Sequence, residues 1–488
     1  MKKTLFFFVA MLFSVTMWAQ NPSFKIADQP NKSFNFINSD HTEVIAEENG
    51  RLLVTLKDSY SSIFAAGASD IMVRWVDKNL NVAVETKLED TKGFKLLASS
   101  VTEDHVVLMI SDMSRKSCIV QRVVLNKQTL KKISTETLFS EEFSRKDDAY
   151  IRAAKSPNGD FFALQVAVET KENMDCELLV LDDEMQQVWK RRSPIALYGC
   201  LWVSDEADVY MVLGGSTEDQ IRFAKYSEDD EYNYAAKTNE FVYSAKILNV
   251  IDECVIIGGV YVEHTGRKGN KEFIKGLYGM SFNIATGSLV GQDYHPATDQ
   301  EKLVMMNKKI TANSKDYLPG SITEVASTPT DFGGAMLLSD SYSITVTNSN
   351  GGSSTTYFRV GMLAFAVNKS GEVVWSVPVR HFEKASTGLY FSSLMFAKGD
   401  KVFFSNTESA KSLPSYDIQK PEKACNPVLK STSVAVYSVD ENGKVGKTIV
   451  ASKQKASLCG ATSNWIDGHY YLLQAGKKDS KLVTVSCE

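Results

Sequence analysis

An all-β fold built from a repeated four-stranded antiparallel unit is what this sequence predicts, on three observations. A polar turn followed at once by an apolar strand-like run recurs eight times between Gly50 and Gly468. Most of these runs are followed by a second strand–turn–strand hairpin. The last unit stops one strand short, while a spare strand-like segment lies near the N-terminus.

The turns read EENGR, TEDH, SPNGD, SDEAD, IDEC, TPTDFGG, AKGDK and IDGH, and the runs after them LLVTL, VVLMI, FFALQV, VYMVLGG, VIIGG, AMLL, VFF and YYLL. The hairpins that follow include IMVRWVDKNLNVAV from Ile71, LLVLDDEMQQVWKR from Leu178, LAFAVNKSGEVVWSV from Leu363 and VAVYSVDENGKVGKTIV from Val434. Short loops of Asp, Asn and Gly suit antiparallel hairpins. Each unit is therefore four strands, and about eight such units read as the blades of a β-propeller. Length alone suggests about three domains; the repeat overrides that and makes residues 20–488 one domain. The final unit, WIDGHYYLLQAGKKDSKLVTVSCE, ends at its third strand. SFNFIN (Ser33–Asn38) is expected to complete it, which would remove both open sheet edges. Eight blades are expected, with seven the alternative because the sixth unit is irregular.

MKKTLFFFVAMLFSVTMWAQ pairs a basic start with an apolar stretch too short to span a bilayer. It reads as a signal peptide, residues 1–19, cleaved after Ala19. The mature chain is then exported, periplasmic or extracellular at the cell surface, with peripheral association at an outer membrane compatible. Loss of Lys2 and Lys3 takes the net charge from -5 to -7. An acidic chain with no basic stripe excludes a nucleic-acid partner. No later run approaches the ~20 apolar residues of a spanning helix.

Seven cysteines are widely spaced: Cys118, Cys176, Cys200, Cys254, Cys425, Cys459 and Cys487. Their apolar neighbours make most of them small buried hydrophobes. A disulfide, if present, is expected among Cys425, Cys459 and Cys487. Three insertions crowd the second half. Ala297–Ser314 has helical composition, with Leu303, Met306 and Ile310 on one face of an expected amphipathic helix. Ser341–Arg359 is a Ser/Thr-rich hairpin with an NSNGGSS tip, and Thr407–Lys430 is a polar loop with three prolines. Long loops on a rigid scaffold carry function, so a binding surface is expected there.

No zinc-protease, nucleophile-elbow, phosphate-loop or dinucleotide motif occurs. His41, His105, His264, His295, His381 and His469 stand too far apart for a local zinc pair. The acidic turns Asp182-Asp183-Glu184, Glu228-Asp229-Asp230-Glu231 and Asp440-Glu441 match no complete calcium loop and read as solvated hairpin tips. Arg267, Lys268 and Lys271 form a small basic loop with an anionic glycan or phosphate as its functional reading and plain solvation as the alternative. Trp75, Trp189 and Trp375 read as packing between blades. No catalytic residue, metal ligand or cofactor site is identified.

FNIATGSLVGQ (Phe282–Gln292) and FAVNKSGEVVWSV (Phe365–Val377), with KGDKVFF and DGHYYLL, resemble repeats of the pyrroloquinoline-quinone-type propeller family over two or three units. That family includes quinone dehydrogenases and non-catalytic eight-bladed envelope scaffolds. The chain lacks the enzymes' vicinal Cys pair and any CxxCH haem site, so the resemblance implies the non-enzymatic branch. The functional expectation is an exported, non-catalytic propeller that binds an envelope protein or glycan. The alternative is a polysaccharide- or peptide-acting hydrolase or lyase with its site in the axial funnel.

Overall fold

The computed structural model describes residues 23–26 and 39–486, less short segments between strands, the longest being 194–199, 264–272, 386–392 and 426–431. The described strands form eight sheets, six of four strands and two of five. Sheet I holds Ser39–Ala46, Leu52–Ser62, Ala65–Val76 and Val82–Leu88. Sheet II holds Lys95–Val101, His105–Met113, Ser117–Asn126 and Lys132–Glu142; sheet III holds Asp148–Lys155, Phe162–Glu169, Met174–Leu181 and Gln187–Ser193. Sheet IV holds Cys200–Val203, Val209–Gly214, Gln220–Tyr226 and Glu231–Lys237; sheet V holds Phe241–Ile251, Cys254–Glu263, Phe273–Asn283 and Leu289–Pro296. Sheet VI holds Ile322–Thr330, Gly333–Thr347, Ser353–Asn368 and Val373–Ala385; sheet VII holds Met395–Lys398, Lys401–Ser409, Thr432–Asp440 and Val445–Gln454. Sheet VIII is built on Ala456–Cys459, His469–Gly476 and Ser480–Ser486.

Every turn-and-run of the sequence repeat lands on the second strand of a sheet. The first strands of sheets I to VII lie side by side in chain order. Sequential antiparallel sheets arranged in this way are a β-propeller.

The second strands explain why the apolar runs are continuous rather than alternating. Val106–Ile110 and Val255–Val262 are buried on both faces, because each sheet is sandwiched between its neighbours. The core is accordingly a series of inter-sheet layers. Leu53, Trp75 and Leu125 pack between sheets I and II, Phe162 and Val120 between II and III, and Trp189 and Tyr226 between III and IV. Phe223 and Phe282 fill the IV–V layer, Phe365 and Ile256 the V–VI layer, and Phe404 and Trp375 the VI–VII layer. Each such large side chain contributes about 1.5–3 kcal/mol of burial. Trp75 donates its indole N–H to Lys127 O (2.7 Å) and Trp189 donates to Ala207 O (3.1 Å), each crossing to the next sheet. These tryptophans pack between sheets, as their place in the repeat predicts.

Two expectations change, and a third falls on residues that are not described. Ser33–Asn38 lies outside the described residues; the strand that pairs with Ser480–Ser486 is Ser23–Ile26, antiparallel, with Ser23 opposite Ser486. Thr462–Ser463 also pairs in parallel with Glu43–Val44 of sheet I. The helix is shorter than its composition predicts, Asp299–Met305, and buries Leu303, Val304 and Met305 rather than Met306 and Ile310. Asn307 adopts φ 50° and closes it: Lys308 N–H donates to Leu303 O (2.7 Å) and Asn307 N–H to Val304 O (2.8 Å). This is a Schellman stop with Asn in the left-handed position. Finally, Cys118, Cys176, Cys200, Cys254 and Cys425 carry free thiols. Cys425 is buried with its Sγ against Thr407 O at 3.8 Å and so leaves the expected set; Cys487 and the side chain of Cys459 lie outside the described residues. Burial pushes the Cys118 thiol up to about 11, which makes it an unreactive core side chain.

Candidate binding face

In a four-stranded antiparallel sheet, the turns between strands one and two and between three and four lie at one end. The turn between two and three and the connection to the next sheet lie at the other. All three insertions fall at this second end. Residues 297–321 connect sheet V to sheet VI, Gly333–Thr347 and Ser353–Asn368 extend the central hairpin of VI as far as Thr347 opposite Ser353, and the third insertion lies between the second and third strands of VII. The three insertions, read in the sequence only as crowding the second half, thus share one end of their sheets. The basic loop with Arg267, Lys268 and Lys271 lies outside the described residues.

The helix is fixed at its start by a capping box. Glu301 N–H donates to Thr298 Oγ1 (3.2 Å) and Thr298 N–H to Glu301 Oε2 (2.6 Å). Ser376 Oγ–H donates to Glu301 Oε1, which ties the helix to sheet VI. Gly361, at φ 62°, lets the third strand of VI approach the helix. A Cβ there would lie 2.4 Å from Met305 Cα.

Two clamps join the first and third insertions. Buried Arg380 donates from Nε to Ile418 O (2.9 Å) and from Nη1 to Leu303 O (3.3 Å). Asn307 Nδ2 donates to Glu422 O (2.9 Å), and Glu422 N–H returns to Asn307 Oδ1 (2.8 Å).

Beside the helix lies a cavity of about 680 Å³. Its walls include Phe273 from sheet V, Lys308, Lys315 and Tyr317 from the first insertion, and Asp340 and Tyr342 from the hairpin. Phe273 and Tyr317 stack at 4.5 Å, and Tyr342 stacks on Phe358 at 5.0 Å. Tyr317 O–H donates to Glu263 Oε2. That hydrogen bond, with Lys275 close by, holds the Glu263 carboxyl below its usual range. Asp340 is 8% exposed and its Oδ1 has no hydrogen-bond partner. Burial pushes its carboxyl up, against a hydrogen bond from Ser321. Beyond the cavity, Tyr342, Ile344 and Val346 are exposed on one side of the hairpin, a stripe that continues the cavity wall.

Behind this face, sheets VI and VII enclose charge. His381 Nε2 lies 3.1 Å from Glu383 Oε2 with both side chains essentially unexposed. Lys447 Nζ lies 2.7 Å from Glu408 Oε2, and Tyr437 O–H donates to Glu408 Oε1. Glu383 also pairs by its backbone with Cys425. Apart from His381, singled out only as one of six histidines, sequence reasoning missed these residues. Glu408 and Lys447 are 39 positions apart and meet only through strand register. The one local signal is charge at Arg380, His381 and Glu383 on an otherwise apolar strand.

The remaining residues singled out in the sequence are dispersed. His105 meets Glu184 at 3.0 Å and His295 lies 3.9 Å from Glu301; His264 and the side chains of His41 and His469 lie outside the described residues. Among the described residues no three His, Cys, Asp or Glu side chains gather as a metal site. Glu184, from an acidic turn, is enlisted in packing. Burial would raise its carboxyl, but Thr102, His105 and Arg122 from sheet II together hold it below its usual range. Asp182 and Asp440 accept backbone N–H groups within their own turns.

On the axial side, Glu43 of sheet I accepts from Ser99 Oγ–H of sheet II. Burial pushes its carboxyl from 4.5 up to about 7, with Ser99 and Lys155 of sheet III opposing. Burial in turn lowers the Lys155 ammonium. The sign follows: between pH 4.5 and 7 the unfolded chain has released the Glu43 proton and the folded chain retains it. Stability therefore falls as pH rises through that window. Glu43→Gln is expected to remove about 2–3 kcal/mol of that loss between pH 4 and pH 8. Urea melts at the two pH values check it, and an unaltered difference would count against the burial of Glu43.

No family model matches the chain, and no curated protein's sequence does. Compared by shape, it is similar to the Dos1 propeller, at 8% identity over 92% of this chain and 94% of that one, TM-score 0.35. It is also similar to an ulvan lyase of polysaccharide lyase family PL25, at 11% identity over 79% and 90%, TM-score 0.37. A third likeness is to a protein of unknown function from Bacteroides caccae, at 10% identity over 67% and 93%, TM-score 0.26. At such identities and TM-scores these likenesses carry no argument about chemistry, and the fold rests on the sheets themselves.

Proposed function

We propose that this chain is an exported, non-catalytic β-propeller that binds a protein or glycan partner in the cell envelope. Its ring has eight blades, closed by the N-terminal strand Ser23–Ile26. The observation that carries this reading is the single elaborated face. Three insertions from sheets V, VI and VII lie at the same end, the first and third clamped together through Arg380 and Asn307, and the first encloses with the sheet VI hairpin a cavity from which an apolar stripe leads away. Investment of loop length and buried polar contacts in one face is what a recognition surface requires. The leader-like residues 1–19 support export, and the hairpin resemblance to envelope-scaffold propellers supports placement in the envelope.

The hairpin gives the test. Replacing residues 344–356 by Asn-Gly preserves Tyr342 and Phe358 and supplies a type I′ turn. Folding stability is expected to change by less than about 1 kcal/mol. Capture of the partner from an envelope extract is expected to fall by about tenfold or more. Undiminished capture would contradict the reading.

A second reading, a hydrolase or lyase working in the axial funnel, is favoured by one observation, the Glu43 carboxyl beside Ser99 and Lys155 on three adjacent inner strands. A carboxyl held near neutrality is suited to general acid or base work. Loss of polysaccharide or peptide cleavage in Glu43→Gln, with folding intact, is the outcome this reading requires.

A further inference from the structure

The cavity between the helical insertion and the sheet VI hairpin has the chemistry of a saccharide subsite. We infer that it binds an acidic glycan, a chain of uronate-type sugars, with Tyr317 as the stacking platform and Lys308 and Lys315 as the carboxylate contacts. The inference rests on the binding reading above and narrows its partner.

The platform is built rather than incidental. Tyr317 is held from two sides, by its ring against Phe273 at 4.5 Å and by its hydroxyl on Glu263. An aromatic ring fixed at a cavity wall offers a flat apolar surface, which matches the C–H face of a pyranose. The second observation is Asp340. It is more than nine-tenths buried, lines the same cavity, and has one carboxylate oxygen without a partner. A buried acceptor left unsatisfied carries a desolvation penalty, and a sugar hydroxyl that reaches Oδ1 as the ligand seats removes it.

Charge decides which saccharide. The lining carries Lys308 and Lys315 against Asp340 alone, a positive balance on a chain of net charge -5. Both lysines are exposed, and no carboxylate pairs with either among the described residues. Exposed lysines lining the same cavity as an aromatic platform favour a ligand that carries an anion on a ring with an apolar face. The stripe of Tyr342, Ile344 and Val346 leading from the cavity suits a linear polymer over a single small molecule.

The test is calorimetric titration of the full chain with a hexameric oligogalacturonate, and with a neutral cello-oligosaccharide of the same length. The acidic oligomer is expected to bind at least about tenfold more tightly than the neutral one, and to weaken as salt rises. Tyr317→Ala is expected to lose about tenfold or more, and Tyr317→Phe, which keeps the ring, less than about threefold. Lys308→Ser/Lys315→Ser alters only exposed side chains and is expected to equalise the two oligomers. No binding of the oligogalacturonate, binding untouched by Tyr317→Ala, or equal binding of both oligomers to the unaltered chain would overturn the inference. Should that happen while the hairpin replacement still abolishes capture from the extract, the face binds a protein, and only the glycan inference falls.

Discussion

Glu408→Ala is expected to destabilise the fold by about 3–5 kcal/mol, because it strands a buried cation. The Lys447 side chain is 4% exposed and that of Glu408 2%, their charged atoms are 2.7 Å apart, and Tyr437 O–H donates to the same carboxylate. Truncation leaves an ammonium and a phenol in the VI–VII layer without their acceptor. Desolvation of both charges has already offset most of their attraction, so the pair is weak as a net stabiliser and costly to halve. The same logic makes the compensated variant informative. Glu408→Leu, Lys447→Met and Tyr437→Phe together are expected to recover most of the loss. Denaturant unfolding of the single and triple variants checks this; a triple variant as unstable as the single one would mean that shape, and not stranded charge, sets the cost.

The second large effect is expected at Gly361. Its φ of 62° lies in the left-handed region, and an added Cβ would sit 2.4 Å from Met305 Cα and 2.8 Å from Met305 O. Gly361→Ala therefore combines a conformational penalty of about 1–2 kcal/mol with overpacking of about 1–3 kcal/mol. The contact it breaks is the seat of the Asp299–Met305 helix on sheet VI. Because the helix carries the first insertion and its Arg380 clamp, the loss is expected to reach the cavity as well as the melting profile. Stability and oligogalacturonate titration measured on the same variant check both parts. A stable Gly361→Ala with wild-type binding would show that the helix is not seated as described.

The blade repeat was legible because it is local. A turn and a strand sit next to each other in sequence, so eight short polar turns before apolar runs are readable without any tertiary information. The inter-sheet role of Trp75 and Trp189 was legible for the same reason. The helix was half legible: Thr298 and Glu301 form the capping box their spacing allows, yet the stop at Asn307 overrides the apolar period through Ile310. The charged junction was not legible. Glu408 and Lys447 meet through strand register within sheet VII, Arg380 and Glu383 come from sheet VI, which packs against it, and nothing in their spacing carries either relation. The pairing of Ser23–Ile26 with the last described strand was not legible either, because SFKI at Ser23 and SFNFIN at Ser33 have the same short apolar pattern and pattern cannot choose between them.

Hydrogen–deuterium exchange of the chain, alone and saturated with its captured partner, tests the single-face account most directly. Protection is expected across residues 299–320 and 340–360, with the turns at 102–105, 182–186 and 440–444 on the opposite end unchanged. Protection confined to those opposite turns, or to the inner strands around Glu43, would contradict it.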